Sequence, residues 1–238
     1  MYVIAHIEND YTEKFGVPRQ SGLVNEVVGR IVFEPEFRNP DALRGLEEFS
    51  HIWLIWEFSN AVRRSEDTAN KEPEPNAEPG CDWRPTVRPP RLGGNRRLGV
   101  FATRSPFRPN PIGLSCVELD HIEYGGPDGP QIFVRGADLM NGTPIYDIKP
   151  YIPYADCKLS ASGGFTEATQ KRMLTVELPE DVIAALGEQR AVELKGVLEQ
   201  DPRPAYQDSP DKVYRFGFAG RQISFRAEDG SAVDIRVD

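Results

Sequence analysis

The stretch His51-Ile-Trp-Leu-Ile-Trp-Glu-Phe58 is nearly continuous in apolar residues, a pattern typical of a β-strand that is buried on both faces. Similar short segments, rich in β-branched and aromatic residues and bounded by turn residues, recur at Tyr2–Ile7, Val27–Phe33, Gly99–Thr103, Ser115–Ile122, Ile132–Asp138 and Ile145–Ile148. This spacing predicts a mainly β fold, in which an antiparallel β-barrel-like domain occupies the N-terminal part of the chain.

The C-terminal part of the sequence predicts a small α+β domain. Its segments are a strand at Met173–Leu178, helices at Pro179–Leu186 and Arg190–Glu199, a loop at Asp201–Tyr206 and strands between Val213 and Val237. A polar stretch at Ser160–Thr169 links this unit to the barrel, so the predicted domains span residues 1–159 and 170–238. In the first domain, Asn39 is the predicted N-cap of a short helix over Asn39–Glu48 that has Pro40 at its first position.

The composition indicates a soluble globular protein. Its 238 residues carry a net charge of −9, which weighs against a general nucleic-acid coat protein because such binding depends on phosphate neutralisation. No apolar run is long enough to cross a bilayer and no signal peptide is evident, so we expect a cytoplasmic protein without membrane contact. The widely spaced Cys81, Cys116 and Cys157 and the scattered histidines argue against a disulfide framework and a metal site.

One segment of this acidic chain carries only positive charges. The segment Trp83–Val117 contains seven arginines and no acid, and guanidinium groups are suited to phosphates and carboxylates. Its many Gly and Pro residues predict a shaped loop. Because Arg84, Arg88 and Arg91 alternate with prolines that stiffen the loop, we expect them to contact phosphates. The preceding Ala61–Asp82 stretch is polar and acidic, which predicts a solvated, mobile insertion.

Two shorter motifs combine residue types that serve in catalysis. A turn fixed by Gly142 and Pro144 leads into a predicted strand, which projects Asp147 and Lys149 onto the same face. Such a pair is either a surface ion pair or a proton-transfer pair with shifted pKa values. The Asp201-Pro-Arg-Pro-Ala-Tyr206 loop holds an acid, an arginine and a phenol, and its sequence favours structure and function equally. No Walker-type or G-x-G-x-x-G loop opens a helix, so a Rossmann-type nucleotide site is not expected.

Six motifs together carry a resemblance to a known family: Pro18-Arg19-Gln20, Phe49-Ser50-His51, Trp83 to Asn95, Gly99 to Ser115, Asp147-Ile-Lys-Pro-Tyr151 and Asp201-Pro-Arg-Pro-Ala-Tyr206. Over essentially its whole length the chain resembles the TsaA-like, or YaeB-like, family. The resemblance implies S-adenosylmethionine-dependent N6-methylation of threonylcarbamoyladenosine at position 37 of tRNA, in the anticodon stem-loop. It also implies a barrel that holds the cofactor without a Rossmann fold, a small C-terminal domain, and a homodimer with active sites near the subunit interface.

The resemblance also assigns roles to individual positions. The residues that it places around the cofactor are Pro18, Arg19, Gln20, Ser59, Asn60, Arg104, Leu114, Asn141, Gly142 and Thr143. The residues that it places at the target nucleotide, as the catalytic set, are Asn110, Asp147, Lys149, Asp201 and Tyr206. The residues expected to contact tRNA are Arg84, Arg88, Arg91, Arg108 and Arg203. The chain departs from the family pattern at Asn141, where relatives tend to have an aspartate, and at Glu8-Asn9-Asp10-Tyr11, where Ser-Pro usually precedes the tyrosine.

The chemistry of methyl transfer leaves two hypotheses for a general base. The enzyme has to align nitrogen, methyl and sulfur and exclude water, and the ureido-like target nitrogen is a poor nucleophile until its proton leaves. Asp147, relayed through Lys149, and the Asp201–Tyr206 loop are the two candidates. The alternatives to this enzyme are a non-catalytic tRNA-binding module that uses the arginine-rich loop, and a methyltransferase that acts on a small molecule.

Overall fold

The N-terminal part of the chain is an antiparallel barrel. The computed structural model describes residues 1–58, 83–89, 96–167, 172–203 and 209–238. In this part of the chain six strands close the barrel in the order β1-β2-β7-β6-β3-β8. They are β1 (Ala5–Glu8), β2 (Val28–Phe33), β3 (His51–Glu57), β6 (Ile112–Glu123), β7 (Gln131–Arg135) and β8 (Pro144–Pro150). The short strands β4 (Thr86–Val87) and β5 (Leu98–Gly99) pair outside the barrel. The predicted mainly β fold is confirmed.

Strand β3 differs from its predicted environment. Ile52, Leu54 and Trp56 are buried in the barrel, whereas Trp53 and Ile55 are only partly buried on the outer face. Successive side chains of a strand point to opposite faces, so β3 has one face in the core and a second apolar face outside the barrel. The expectation of burial on both faces is therefore wrong.

Two other predicted elements are shorter than expected. Within the predicted strand Gly99–Thr103 only Gly99 pairs, because Val100–Ala102 forms a 3₁₀ turn. The predicted helix after Asn39 is two 3₁₀ helices, Pro40–Leu43 and Leu46–Glu48. The cap is confirmed, since the Asn39 side chain accepts a hydrogen bond from the Asp41 amide at 3.0 Å. The helix does not continue because Gly45 has φ +85°, a left-handed conformation that interrupts it.

The C-terminal part is a four-stranded sheet covered by helices. After the single turn α1 (Pro153–Asp156), its elements are β9 (Thr175–Val176), α2 (Glu180–Leu186), α3 (Glu188–Glu199), β10 (Tyr214–Phe218), β11 (Arg221–Glu228) and β12 (Ser231–Val237). The sheet order is β10-β11-β12-β9, and β9 is parallel to β12. Within the described residues, no helix has both the length and the apolar character required to span a membrane.

The segment between β1 and β2 joins the two parts. Tyr11, Val24 and Val27 belong to the hydrophobic core of the C-terminal sheet, although they precede β2 of the barrel. The Ala219 amide donates to the Asp10 carbonyl at 3.1 Å, and the rings of Tyr11 and Phe218 are 6.1 Å apart. This packing brings the middle of the segment, with the predicted cofactor residues Pro18, Arg19 and Gln20, to the seam between barrel and C-terminal sheet.

Candidate active site

A cavity of about 500 Å³ lies at this seam. Its walls come from the segment between β1 and β2, from the end of β3, from the turn before β8 and from the end of α3. Its mostly apolar lining includes Phe15, Val17, Pro18, Arg19, Trp56, Phe58, Pro106, Asp138, Met140, Thr143, Val197 and Pro202. Its volume lies in the range that is usual for small-molecule sites, roughly 300–1,000 Å³. Three predicted cofactor residues, Pro18, Arg19 and Thr143, therefore share one cavity.

A hydrogen-bonded chain of three side chains borders the cavity. The Trp56 indole N–H donates to Ser115 Oγ at 2.9 Å, and the Ser115 hydroxyl donates to the Asp138 carboxylate at 2.5 Å. Trp56 fits here because Gly113 opposite it has no side chain; a Cβ at Gly113 would stand 2.2 Å from the indole ring. Burial raises the pKa of Asp138 above its ordinary value, and the hydrogen bond from Ser115 opposes that effect.

The mouth of the cavity carries two predicted cofactor residues. The Arg104 guanidinium donates to the Gln20 side-chain oxygen at 2.5 Å, and Arg19 donates to the Arg203 carbonyl at 2.5 Å. These bonds connect the arginine-rich loop, the segment after β1 and the loop after α3. The guanidinium groups of Arg19 and Arg104 are thereby held where the three chain segments meet.

Asp201 and Arg203 form a buried ion pair in the loop after α3. The Arg203 guanidinium donates to both carboxylate oxygens, at 2.7 and 2.9 Å, and the two side chains are only 5% and 7% exposed. Asp201 also has a left-handed backbone with φ +45°. The pair fixes the conformation of the described residues Asp201–Arg203, and neither charged group is presented to solvent. Tyr206, the third residue predicted from this loop, lies outside the described residues.

A second, larger cavity of about 1,270 Å³ adjoins the first and shares Arg19 and Pro106 with it. We call it the arginine groove, because its lining contains five arginines: Arg19, Arg84, Arg88, Arg97 and Arg104. Its described lining contains no acidic residue. The predicted tRNA residues Arg84 and Arg88 lie in it, while Arg91 is outside the described part of the chain.

Arg108, also predicted to contact tRNA, bonds to its own loop. Its guanidinium donates to the carbonyls of Ser105 at 2.9 Å, Thr103 at 2.5 Å and Val100 at 3.3 Å. These three carbonyls belong to the 3₁₀ turn and the bend that follows it. Arg108 therefore holds the shape of the loop that supplies one wall of the groove.

Asp147 and Lys149 share the outer face of β8, as predicted, and form an ion pair of 2.7 Å. Their side chains are 45% and 61% exposed, and neither lines the cavity or the groove. Leu114 is half exposed on the neighbouring outer face, opposite Ile55. Asn110 is exposed beside β6. These four predicted site residues are thus separated from the cavity.

The remaining predicted cofactor residues lie around the turn before β8. The Asn141 side chain accepts a hydrogen bond from the Asn9 amide at 3.1 Å, and the Gly142 amide donates to the Ile7 carbonyl at 2.7 Å. Both residues are exposed, and Gly142 adopts φ +77°, which favours glycine. Thr143 is buried and is the member of this turn that reaches the cavity. Ser59 and Asn60 lie outside the described residues; they follow Phe58 of the cavity wall directly.

Four residues of the site were not predicted from the sequence: Trp56, Ser115, Asp138 and Arg97. Asp138 offered one signal, since it is an acid at the end of the apolar segment Ile132–Asp138. Among the described residues no cluster of His, Cys, Asp and Glu side chains is arranged to hold a metal ion.

Comparison with known proteins gives a consistent result. The family model for the tRNA-methyltransferase O N-terminal domain matches residues 6–157, and the model for the TrmO C-terminal domain matches residues 171–238. The tRNA (adenine(37)-N6)-methyltransferase of Escherichia coli K12 is 39% identical, over 95% of this chain and 92% of that protein. RcsF of Pseudomonas aeruginosa, a putative S-adenosylmethionine-dependent methyltransferase, is 41% identical, over 90% and 85% of the two chains. A crystal structure of TrmO from Pseudomonas aeruginosa superposes with a TM-score of 0.71 at 30% identity, covering 99% of this chain and 95% of that one.

Proposed function

The chain belongs to the tRNA-methyltransferase O family, and from that premise we propose that it transfers a methyl group from S-adenosylmethionine to N6 of adenine 37 in tRNA. We further propose that the natural substrate is adenine 37 already carrying a threonylcarbamoyl group. The observation that carries the proposal is the junction, at Arg19 and Pro106, of a mostly apolar cavity with an arginine groove whose described lining holds no acid. Such a junction brings a small-molecule site and a phosphate-binding surface together.

The cavity at the seam suits S-adenosylmethionine. Its volume of about 500 Å³ and its apolar walls fit an adenosine, with Phe15 and Trp56 as aromatic surfaces. The Asp138 carboxylate gives the cavity a group that favours a cation, and Gln20 and Arg104 at the mouth suit a carboxylate. When bound, the cofactor supplies an electrophilic methyl group on a sulfonium. The protein's own tasks are to hold both reactants in line and to exclude water.

The arginine groove suits the anticodon stem-loop. Arg84 and Arg88 are exposed and supply phosphate contacts, while Arg19 and Arg104 lie where the groove meets the cavity. A guanidinium near the junction is suited to bind the threonine carboxylate of the modified base in bidentate fashion. Recognition of the carboxylate and alignment of N6 then occur in the same place.

We propose a homodimer that completes the site. Trp53, Ile55 and Leu114 form an apolar row on the outer face of β3 and β6, in which Leu114 is half exposed and the other two are partly buried. The charged pair Asp147 and Lys149 borders this row on β8. Opposite charges side by side allow two-fold pairing, in which Asp147 of one protomer meets Lys149 of the other. A second copy on this face gives Leu114, Asp147 and Lys149 a route to an active site that they do not reach within one chain.

Two candidates for the general base remain proposals. In the Asp147 hypothesis the base belongs to the dimer face, and in the loop hypothesis it comes from the Asp201–Tyr206 loop, with Tyr206 as the candidate because Asp201 is paired with Arg203. A base at this nitrogen contributes on the order of 10²–10⁴ in rate. The Asp147→Asn and Tyr206→Phe variants separate the two, because only the variant that lacks the base loses that factor in kcat while cofactor affinity is retained.

The decisive experiment for this function compares methyl transfer to tRNA with threonylcarbamoyladenosine at position 37 against transfer to the unmodified transcript. We expect at least a hundredfold preference for the modified tRNA, because a site built around a guanidinium–carboxylate pair loses that charge-assisted contact when the threonylcarbamoyl group is missing. A matched calorimetric titration with S-adenosylmethionine is the control for cofactor binding. Equal rates on both RNAs contradict the proposed substrate, and tRNA binding without any cofactor binding favours the non-catalytic module. Cofactor binding without salt-sensitive RNA binding favours a small-molecule methyltransferase.

A further inference from the structure

Three aromatic side chains around the arginine groove are unusually exposed. Phe101 is 74% exposed, Trp83 is 39% exposed and Phe107 is 37% exposed. An exposed aromatic cluster is rarer than scattered exposed apolar residues and marks interaction surfaces. Phe101 and Phe107 line the groove, and Trp83, which is not part of its lining, stacks against Phe101.

The three rings are held by contacts with each other and with the arginines of the loop. The planes of Trp83 and Phe101 are within 20° of parallel, with ring centroids 6.2 Å apart. The Arg84 guanidinium carbon lies 5.4 Å from the centroid of the Phe107 ring, a cation–π contact. Phe101 sits in the 3₁₀ turn Val100–Ala102, and Arg108 donates to the Val100 carbonyl in this turn and to the Thr103 carbonyl directly after it. The loop therefore presents Phe101 outward as a fixed feature, since the neighbouring Val100 is buried and anchors the turn.

Aromatic rings set among arginines are the combination that binds unpaired nucleic-acid strands. The cations follow the phosphates, and each base stacks its π-face on a ring. The described lining of this groove offers five arginines and no acid, so its charge is complementary to RNA and not to a basic partner. An enzyme that modifies a base has to take that base out of its stack, which leaves the neighbouring bases without a stacking partner. An aromatic ring at the groove wall can take the place of the missing base as the stacking partner.

We propose that Phe101, supported by Trp83 and accompanied by Phe107, is a stacking platform for an unpaired anticodon-loop base next to the target adenine. This inference rests on the proposed tRNA activity and adds the residues that contact an unpaired base of the anticodon loop. Phe101 recognises the π-face of a base, so its contribution is insensitive to base identity and to salt. The arginines supply the salt-dependent part.

The test measures binding of an anticodon stem-loop RNA by the full chain over a range of salt concentrations. Phe101→Ala is expected to weaken binding about tenfold at every salt concentration, with an unchanged slope of log affinity against log salt. Phe101→Tyr keeps a ring and is expected to bind as the wild type does. The matched control is Tyr2→Ala, because Tyr2 is 82% exposed and does not line the groove. A smaller salt slope in Phe101→Ala overturns the stacking platform, and so does an equal loss of affinity in Tyr2→Ala.

A cycle between protein and RNA variants identifies the stacked base. An abasic nucleotide at position 36 or 38 is expected to weaken wild-type binding by a similar factor at one of the two positions and to have no further effect in Phe101→Ala. Additive losses at both positions overturn the stacking contact while leaving the proposed function intact. Failure of the wild-type protein to bind the stem-loop overturns both. Because Phe101 is largely exposed, the variant is expected to fold, and an unchanged circular dichroism spectrum verifies this.

Discussion

Asp138 is the residue whose surroundings bear most directly on the cavity. Its carboxylate accepts the Ser115 hydroxyl, which in turn accepts the Trp56 indole N–H, so the cavity wall and the acid are connected by a continuous chain of hydrogen bonds. Burial of an ionised carboxylate away from water costs free energy, and a nearby cation offsets that cost. We therefore interpret Asp138 as the group that favours the positively charged part of the cofactor.

The Asp138→Asn variant should separate stability from binding. Since burial raises the pKa of Asp138, the folded protein holds this proton to higher pH than the unfolded chain, and the free energy of unfolding falls as pH rises from about 4 through the folded-state pKa. The variant removes that term, so its stability relative to wild type is expected to improve between pH 4 and pH 7. Its affinity for S-adenosylmethionine is expected to fall about tenfold or more.

Urea unfolding at both pH values and calorimetric titration of the cofactor measure the two effects. Glu36→Gln, which changes an exposed acid, is the matched control and is expected to affect neither quantity. Parallel stability profiles for wild type and Asp138→Asn contradict the assignment of a raised pKa, and an unchanged cofactor affinity removes Asp138 from the binding site.

The arginine-rich segment between β4 and β6 combines two kinds of arginine. Arg88 is exposed in the groove, whereas the Arg108 guanidinium is engaged with three carbonyls of the loop itself. The residue types and their spacing are alike in the sequence, so only the fold assigns one side chain to a ligand surface and the other to the support of that surface. The two therefore differ in how their loss affects tRNA binding.

Arg88→Ala is expected to lower the salt slope of tRNA binding by about one unit, because one phosphate contact and its released counterion are lost. Arg108→Ala is expected to weaken binding with an unchanged slope and to lower stability by about 1–3 kcal/mol, because carbonyls of the loop lose their donors. Filter binding at several salt concentrations and thermal unfolding of both variants provide the measurements. A slope reduced by one unit in Arg108→Ala indicates instead that Arg108 contacts phosphate.

At the level of the whole molecule, the segment 9–27 decides where the site lies. It leaves the barrel after β1, contributes Tyr11, Val24 and Val27 to the core of the C-terminal sheet and returns as β2. The cavity is formed between the two units. On its C-terminal side, Asp201 and Arg203 form their buried ion pair, and the Arg19 guanidinium donates to the Arg203 carbonyl. Neither unit contains this cavity alone.

The proposed homodimer makes a prediction about the outer face of the barrel. Leu114→Arg places a charge in the apolar row of the outer face beside Ile55, and we expect it to convert the dimer to a monomer and to lower kcat by at least tenfold. Light scattering after size-exclusion chromatography measures the mass. Val192→Arg changes an apolar residue of α3 that is 54% exposed and serves as the matched control. A Leu114→Arg variant that stays dimeric assigns the interface elsewhere.

Sequence pattern alone was sufficient for the class of fold. β-branched segments between turn residues predicted the barrel strands, and the Asn39 cap was correctly placed, because both depend on interactions between residues close in the chain. Local pattern failed at β3 and at Val100–Ala102. The apolar outer face of β3 resembles a core face in sequence, and the 3₁₀ turn depends on bonds from Arg108, which is several residues away.

The sequence by itself determined the barrel, the small α+β unit, the family and the arginine-rich loop, since these follow from residue type and order. Tertiary structure alone decided which residues share a site. It brought Pro18, Arg19 and Thr143 to one cavity, added Asp138 to them and set Leu114 and Asp147 apart on the outer face. The physical reason is that strand register and the packing of segment 9–27 into the distant C-terminal core set these distances, and no local pattern in the chain encodes either.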